Sequence, residues 1–276
     1  MMELAIVTIA HGRHDHLGRQ LRWIEALDPR PLVHVVVAMG DPAIAGLIGG
    51  RERTVLVELP ADGELPLAGA RNRGVAAAGE AGATMVALLD VDCLPEPGFV
   101  ADYTSRLRDA ATQPGPSVVT GRVRYLPEGL RGDDYTPERL AEVGRDHPAR
   151  TVPETDDLLA ADVNLLWSLN IATSITDWHR IGGFDERYVG YGGEDTDFGR
   201  RLAVAGGHLW WIRGAGAFHQ WHPSSSPPVE HAAAIARNAN LFHSIWGEYP
   251  MPGWLEAMEQ SGHLLRTEEG WAPGTP

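Results

Sequence analysis

Short apolar runs alternate with helix-period segments over the first 125 residues, and this alternation constrains the fold more than any other feature. The runs at 4–9, 32–38, 54–59 and 85–89 are rich in Val, Leu and Ile. Near-continuous apolar strands of this length belong in a parallel sheet covered on both faces. Between them, residues 14–27 carry Leu17, Leu21, Ile24 and Leu27 at helical spacing, and 67–78 also reads as a helix. Pro95 and Pro97 break the chain after the fourth run; residues 98–111 then read as a helix and 118–125 as a strand. This β-α-β order predicts an α/β, Rossmann-like, mostly parallel sheet with helices on both faces. Ligands in such folds sit beyond the carboxyl ends of the strands. Residues 9–13 and 90–92 lie at such ends.

Residues 127–162 break the pattern: charged and turn residues dominate, and only a helix near 137–143 is expected. A long insertion in a compact domain is usually functional or mobile. Beyond it, 165–173 reads as a strand, 175–181 and 194–205 as helices, 208–212 as a strand and 229–246 as a helix. We expect one catalytic-type domain over 1–223, with 127–162 as an inserted acceptor loop region, and a C-terminal helical extension and tail over 224–276.

A net charge of −14 excludes nonspecific nucleic-acid binding, which needs a basic face. It leaves phosphate substrates open, because a bound cation reverses the local sign. Cys93 is the single cysteine, so there is no intramolecular disulfide framework, and a reducing compartment suits the chain. No leader at Met1 and no apolar run long enough to span a bilayer is visible. A cytoplasmic location is expected, with peripheral membrane contact left open.

The chemistry-bearing residues fall in three clusters. Asp90 and Asp92 end an apolar run, L-L-D-V-D, and Cys-Leu-Pro-Glu-Pro then stops the strand sharply. The plain alternative is an acidic surface turn. Glu194, Asp195 and Asp197 follow the Gly-rich turn of Gly190, Gly192 and Gly193. Acids at a helix start also cap free amides and offset the macrodipole, so this cluster has a structural reading too. His219 and His222 stand in F-H-Q-W-H-P, but a chain with 12 His yields such pairs by chance. No C-x-x-C accompanies them, which argues against structural zinc. Carboxylates, imidazoles and phosphate oxygens together suit Mn2+ or Mg2+.

In this order the motifs resemble those of GT-A-fold glycosyltransferases. Residues 191–197 are similar to the W-G-G-E-D-D-D run of the β-1,4-galactosyltransferases, and the N-terminal half resembles the family-2 glycosyltransferases, including A-R-N-x-G at 70–74. The resemblance implies metal-dependent transfer of a sugar from a nucleotide-sugar donor, UDP-linked, to an acceptor hydroxyl with inversion. Asp92 would be the D-x-D metal ligand and His219 the downstream one, with His222 as the alternative. Asp195 would be the base, and Glu194, Tyr191, Gly192 and Gly193 would meet the sugars. Ala10, His11, Arg13, Arg71, Asn72 and Asp90 would line the nucleotide. Tyr191 stands where the family has Trp, Thr196 where it has an acid, and His11 where Arg is more typical. Two rivals are a noncatalytic carbohydrate-binding domain and a sugar-phosphate nucleotidyltransferase. The latter normally carries a Gly-rich, Lys-bearing loop after the first strand, where this chain reads A-H-G-R-H. The glycine-flanked segment 184–191 and the insertion are candidate lids, with a rigid Gly-rich turn as the alternative for the former.

Overall fold

The structure, a computed structural model, describes residues 3–275; the expected start at Met1 without a leader lies outside them. The first half alternates as the apolar runs demand: β1 (Leu4–Ala10), α1 (His14–Glu25), β2 (His34–Met39), α2 (Ile44–Ile48), β3 (Thr54–Leu59), α3 (Leu67–Glu80) and β4 (Met85–Leu89). Every residue of β1, β2 and β4 is buried, whereas β3 is only partly so and forms an edge. Neighbouring residues of β1 serve opposite faces. Val7 packs with Val35, Val75 and Phe198 on one side; Ile6 packs with Ile24, Leu89 and Phe99 on the other. Helices therefore cover both faces, as expected. The glycine of A-R-N-x-G has a packing role here. A Cβ on Gly74 would lie 2.2 Å from Val7 Cγ1, so only glycine lets α3 sit this close to β1.

The next elements are β5 (Cys93–Pro95), α4 (Phe99–Ala110), β6 (Ser117–Thr120) and β7 (Val123–Tyr125). The single strand expected over 118–125 is thus two strands in different sheets. Gly121 is the break. A Cβ there would sit 2.1 Å from the Ala215 carbonyl oxygen, and its N–H donates to the Tyr103 hydroxyl at 3.2 Å.

The insertion contains α5 (Pro137–Val143), capped by Thr136 where the sequence placed a helix, and the short strands β8 (Arg145–Asp146) and β9 (Leu159–Ala161). Leu140 of α5 packs against Leu94, Leu126 and Phe218. The strand expected over 165–173 starts later, as β10 (Asn170–Ser174), because Asp162 caps a tight turn at Val163–Leu165. Then come α6 (Ile175–Ile181), α7 (Glu194–Val204), β11 (His208–Trp211) and β12 (Ala217–His219).

The large sheet runs β3-β2-β1-β4-β10-β6-β11-β9. Pairing is parallel from β3 through β4 and between β6 and β11; β10 is antiparallel to both its neighbours, and β9 to β11. A second sheet, β5-β12-β7-β8, stands at the carboxyl end of β4. The tail is more ordered than its Gly and Pro content suggests: α8 (Ala232–Trp246) packs with α9 (Pro252–Gln260) and the hairpin β13 (Leu264–Thr267) and β14 (Gly270–Pro273) through Ile235, Leu255, Met258 and Trp271. Among the described residues, no helix is long and apolar enough to cross a membrane.

Candidate active site

The small sheet builds the first half of the site. Antiparallel pairing sets His219 opposite Cys93, so Asp92 meets β12 where that strand ends. His219 Nε2 lies 3.6 Å from Asp92 Oδ1, and His222 Nε2 lies 3.3 Å from Oδ2. Gln220 N–H donates to the Asp92 carbonyl at 2.7 Å, fixing the turn that carries both imidazoles. Burial alone would raise the Asp92 carboxyl, but His219, His222 and Arg13 outweigh it and hold it well below the usual range. Burial lowers His219, whereas the bond to Asp92 raises His222. Ligand atoms of Asp92, His219 and His222 all lie within 4.8 Å of one another, the one such metal-capable group among the described residues. Tyr125, paired with His219 across β7 and β12, stacks on its ring at 4.6 Å.

The second half hangs on Arg71. Its side chain is 7% exposed; Nη1 lies 3.2 Å from Glu194 Oε1 and Nη2 3.7 Å from Asp90 Oδ1. Burial pushes Glu194 up, Asp195 adds to this, and Arg71 opposes it. Burial likewise pushes Asp90 up against the pull of Arg71, helped by Asp92 and Asp195. Asp195 is held differently: Ser168 N–H donates to Oδ2 at 3.0 Å, while Oδ1 is sheltered from water and has no partner.

The other sequence candidates divide. Ala10 is buried at the end of β1; His11 and Arg13 are exposed, with His11 Nδ1 2.7 Å from the Met39 carbonyl. Arg13 turns through the left-handed region at φ 51°. The Asn72 side chain is spent on the chain itself: it donates to the Phe184 carbonyl and accepts from Phe184 N–H, each at 2.9 Å, and also meets Glu186. Gly192 and Gly193 have φ of 95° and 91°, and their faces meet Met251 and Tyr188 rather than open space. Asp197, which had a structural alternative from the outset, is 1% exposed and accepts from Trp246 Nε1 at 2.9 Å, tying α7 to α8. Segment 184–191 is tied down further: Gly190 N–H donates to Leu65, and Arg237 and Asn238 donate to the Val189 carbonyl. These bonds favour the rigid turn over the lid for this segment.

Sequence reasoning missed several supporting groups. Gln20 is fully buried in the apolar stripe of α1; its amide donates to the carbonyls of Asp90 at 2.7 Å and Cys93 at 2.8 Å and so shapes the D-V-D turn. A lone Gln beside Leu17, Leu21 and Ile24 was the available signal. Asp41 accepts from Gly12 N–H at 2.8 Å and meets His14, ordering the loop after β1. Nothing local marked Ser168 or Tyr125, which matter only through pairing.

A family model described as the N-terminal domain of galactosyltransferase matches residues 161–220, the span that holds Asp195 and His219. Validoxylamine A glucosyltransferase of Streptomyces hygroscopicus subsp. jinggangensis (strain 5008) is 29% identical over 155 residues, 51% of this chain and 36% of that protein. Chondroitin synthase of Escherichia coli is 28% identical over 185 residues, 60% of this chain and 26% of that protein. The chain spans about a third or less of the length of these curated relatives. The solved structure of GalNAc-T7 with UDP, GalNAc and Mn2+ superposes with a TM-score of 0.61 at 13% identity, covering 89% of this chain and 48% of that one. S. aureus TarS 1-349 in complex with UDP-GlcNAc superposes at 0.59 and 12% identity, covering 88% and 64%. At such identities the structural likeness establishes the fold, and the sequence matches are similarities over part of the chain. The chain therefore has the GT-A fold, and part of its sequence is similar to glycosyltransferases.

Proposed function

We propose that this chain transfers a sugar from a UDP-linked donor to an acceptor hydroxyl with inversion, using a divalent cation and Asp195 as base. The observation that carries this reading is the pairing of two unlike halves at one strand edge. One is a metal-capable Asp92–His219–His222 group; the other is a carboxylate with one oxygen fixed and the other unpartnered.

Asp92, His219 and His222 form a mixed carboxylate–imidazole donor set that, with donor phosphate oxygens, fits Mn2+ better than Mg2+, which prefers oxygen ligands. When bound there, the cation would supply positive charge beside a donor diphosphate. The chain's own residues do the rest. Ser168 N–H orients Asp195 so that Oδ1 is left to accept the acceptor's proton as its oxygen attacks the anomeric carbon. Attack from the face opposite the leaving diphosphate inverts that carbon. Glu194 is engaged by Arg71 and is suited to hold a sugar hydroxyl. Asp90 and the loop of His11 and Arg13 would meet the nucleotide, and Arg71 orders the carboxylates from beneath. On this reading 1–223 carries the reaction and 224–276 is an extension built onto it.

The experiment is calorimetry with UDP, with and without Mn2+, on the wild type and on Asp92→Ala, alongside incubation with a panel of sugar nucleotides. We expect UDP binding that requires Mn2+ and is lost in Asp92→Ala, with slow Mn2+-dependent hydrolysis of the true donor. Unchanged metal dependence in the variant would sink the site. Pyrophosphate-dependent exchange would point to a nucleotidyltransferase, and saccharide binding without donor turnover to a noncatalytic module.

A further inference from the structure

Two segments far apart in sequence carry the metal-capable group: the turn after β4 with Asp92, and the end of β12 with His219 and His222. Both are bonded to α1. Successive helix residues point about 100° apart, so Arg19 and Gln20 leave α1 in different directions and reach different segments. The helix itself is firmly seated. Leu17 and Leu21 are buried with Val36 and Ile44, and Val91, the middle residue of D-V-D, packs against that cluster.

Gln20 takes the first segment. Its Nε2 donates to the carbonyls of Asp90 at 2.7 Å and Cys93 at 2.8 Å. Carbonyls only accept, so this pair fixes which end of the amide faces them. Oε1 then faces Thr8, whose hydroxyl donates to it at 3.0 Å. That hydroxyl, its own proton spent, accepts from His34 Nε2 at 3.0 Å. His34 Nδ1 is sheltered from water and has no partner, as suits the unprotonated nitrogen of that tautomer. Thr8 and Gln20 are fully buried and His34 is 2% exposed, so water does not compete for these bonds. An apolar residue at position 20 would complete the stripe of α1 without the cost of burying an amide. The amide is tolerated because each of its groups is bonded, and its effect is to fix the turn.

Arg19 takes the second segment. Its guanidinium donates to Gln220 Oε1 and lies 4.5 Å from the centre of the Tyr135 ring. Gln220 is fully buried; its Nε2 donates to the His16 carbonyl at 3.4 Å, and its N–H to the Asp92 carbonyl at 2.7 Å. His16 Nε2 donates to the Trp221 carbonyl at 3.2 Å. Gln220 and Trp221, the residues between the two histidines, are thus both bonded to α1.

We infer that α1 is a clip that presets the cation site. Gln20, directed by Thr8 and His34, sets the Asp92 turn; Arg19 and His16 set the turn that carries His219 and His222. These are positioning residues, acting through the backbone that bears the ligands. The inference rests on the cation of the proposed function and goes beyond it by naming what holds the ligands together before the cation arrives.

Thr8→Val keeps the shape of the side chain, removes its hydroxyl and acts on the turn only through Gln20; Thr8→Ser keeps the hydroxyl. Arg19→Met keeps the stem. Mn2+ uptake by the full chain, alone and with UDP, is measured by calorimetry, and hydrogen exchange of the metal-free proteins by mass spectrometry. Thr8→Val and Arg19→Met should each weaken Mn2+ binding by about tenfold or more, the scale of losing an outer-shell partner. Thr8→Ser should stay near wild type. Without metal, Thr8→Val should speed exchange most over residues 90–93 and Arg19→Met most over 219–222, a local pattern that general instability would not produce. Arg19 is half-buried, so its variant decides the matter if Thr8→Val folds poorly. Mn2+ affinity equal to wild type in Arg19→Met and in folded Thr8→Val would overturn the clip. So would a Thr8→Ser that falls as far as Thr8→Val, or exchange that rises evenly along the chain. A wild type that takes up no Mn2+, with or without UDP, would instead refute the cation of the proposed function, and the purpose of the clip with it.

Discussion

Arg71→Met removes a cation set between Glu194 and Asp90 while keeping side-chain bulk and helix propensity. Arg71 meets Glu194 at 3.2 Å and Asp90 at 3.7 Å, and its guanidinium lies 5.3 Å from the centre of the Phe184 ring. Stripping one partner from a buried ion pair typically costs about 3–5 kcal/mol. Two features of this site reduce that. The Asp90 side chain is 34% exposed, so water screens part of its loss. Burial and Asp195 already push Glu194 up to about 7 against the pull of Arg71, so protonation relieves it cheaply near neutral pH. We therefore expect a deficit of roughly 2–3 kcal/mol at pH 8.

The deficit should depend on pH in a definite sense. Glu194 has a folded pKa above its unfolded value, and without Arg71 that pKa rises further. Below about 7 the folded carboxyl is protonated in both proteins, and the missing cation matters little. Above it the wild type ionises beside Arg71, whereas the variant must either stay protonated or bury a bare charge. Each added unit of folded pKa opens the gap by about 1.4 kcal/mol at high pH. Asp90, also raised by burial, acts in the same direction. Urea denaturation of both proteins at pH 6 and pH 8, followed by far-UV circular dichroism, measures it. A deficit equal at the two pH values, or below about 1 kcal/mol at pH 8, would refute the assignment of Arg71 as the counter-charge to Glu194.

Asp195→Asn should keep UDP–Mn2+ binding, because Ser168 N–H still finds an amide oxygen, but lose transfer by about 10²-fold or more; a near-normal rate would show that another group takes the proton. His34 is buried on β2 within 3.0 Å of the Thr8 hydroxyl, and burial lowers its pKa to about 3. The unfolded chain then binds the extra proton as pH falls from about 6.5, removing up to about 1.4 kcal/mol of stability per unit. His34→Gln should flatten that acid limb in a plot of Tm against pH, and parallel curves for the two proteins would contradict it. Gly74→Ala would drive a methyl to 2.2 Å from Val7 Cγ1 and 3.2 Å from Val37 Cγ2, an overpacking expected to cost about 1–3 kcal/mol. An unchanged Tm in that variant would mean the contact of α3 with the sheet relaxes freely.

What the residues determined alone was mostly local. Apolar runs of strand length and helical spacing suffice for β1 to β4 and the helices between them, because each buries its face wherever the partners stand. The break after Leu89 marked a strand end, and the acids behind the Gly-rich turn marked a helix start. Direction and partnership were not legible. Asn170–Ser174 reads as a strand in either sense, and only its place between β4 and β6 makes it antiparallel. Residues 118–125 read as one strand, and only the contact of Gly121 with Ala215 splits them. In A-R-N-x-G, Arg71 and Asn72 resembled nucleotide contacts; only the tertiary structure shows that Asn72 also binds the Phe184 backbone, that Gly74 packs on Val7 and that Arg71 meets two carboxylates. The distance between Asp92 and His219 is likewise a product of β5–β12 pairing across more than a hundred residues. Periodicity reports which face of an element is buried, but the identity of the neighbour depends on long-range pairing, and no window of sequence contains it.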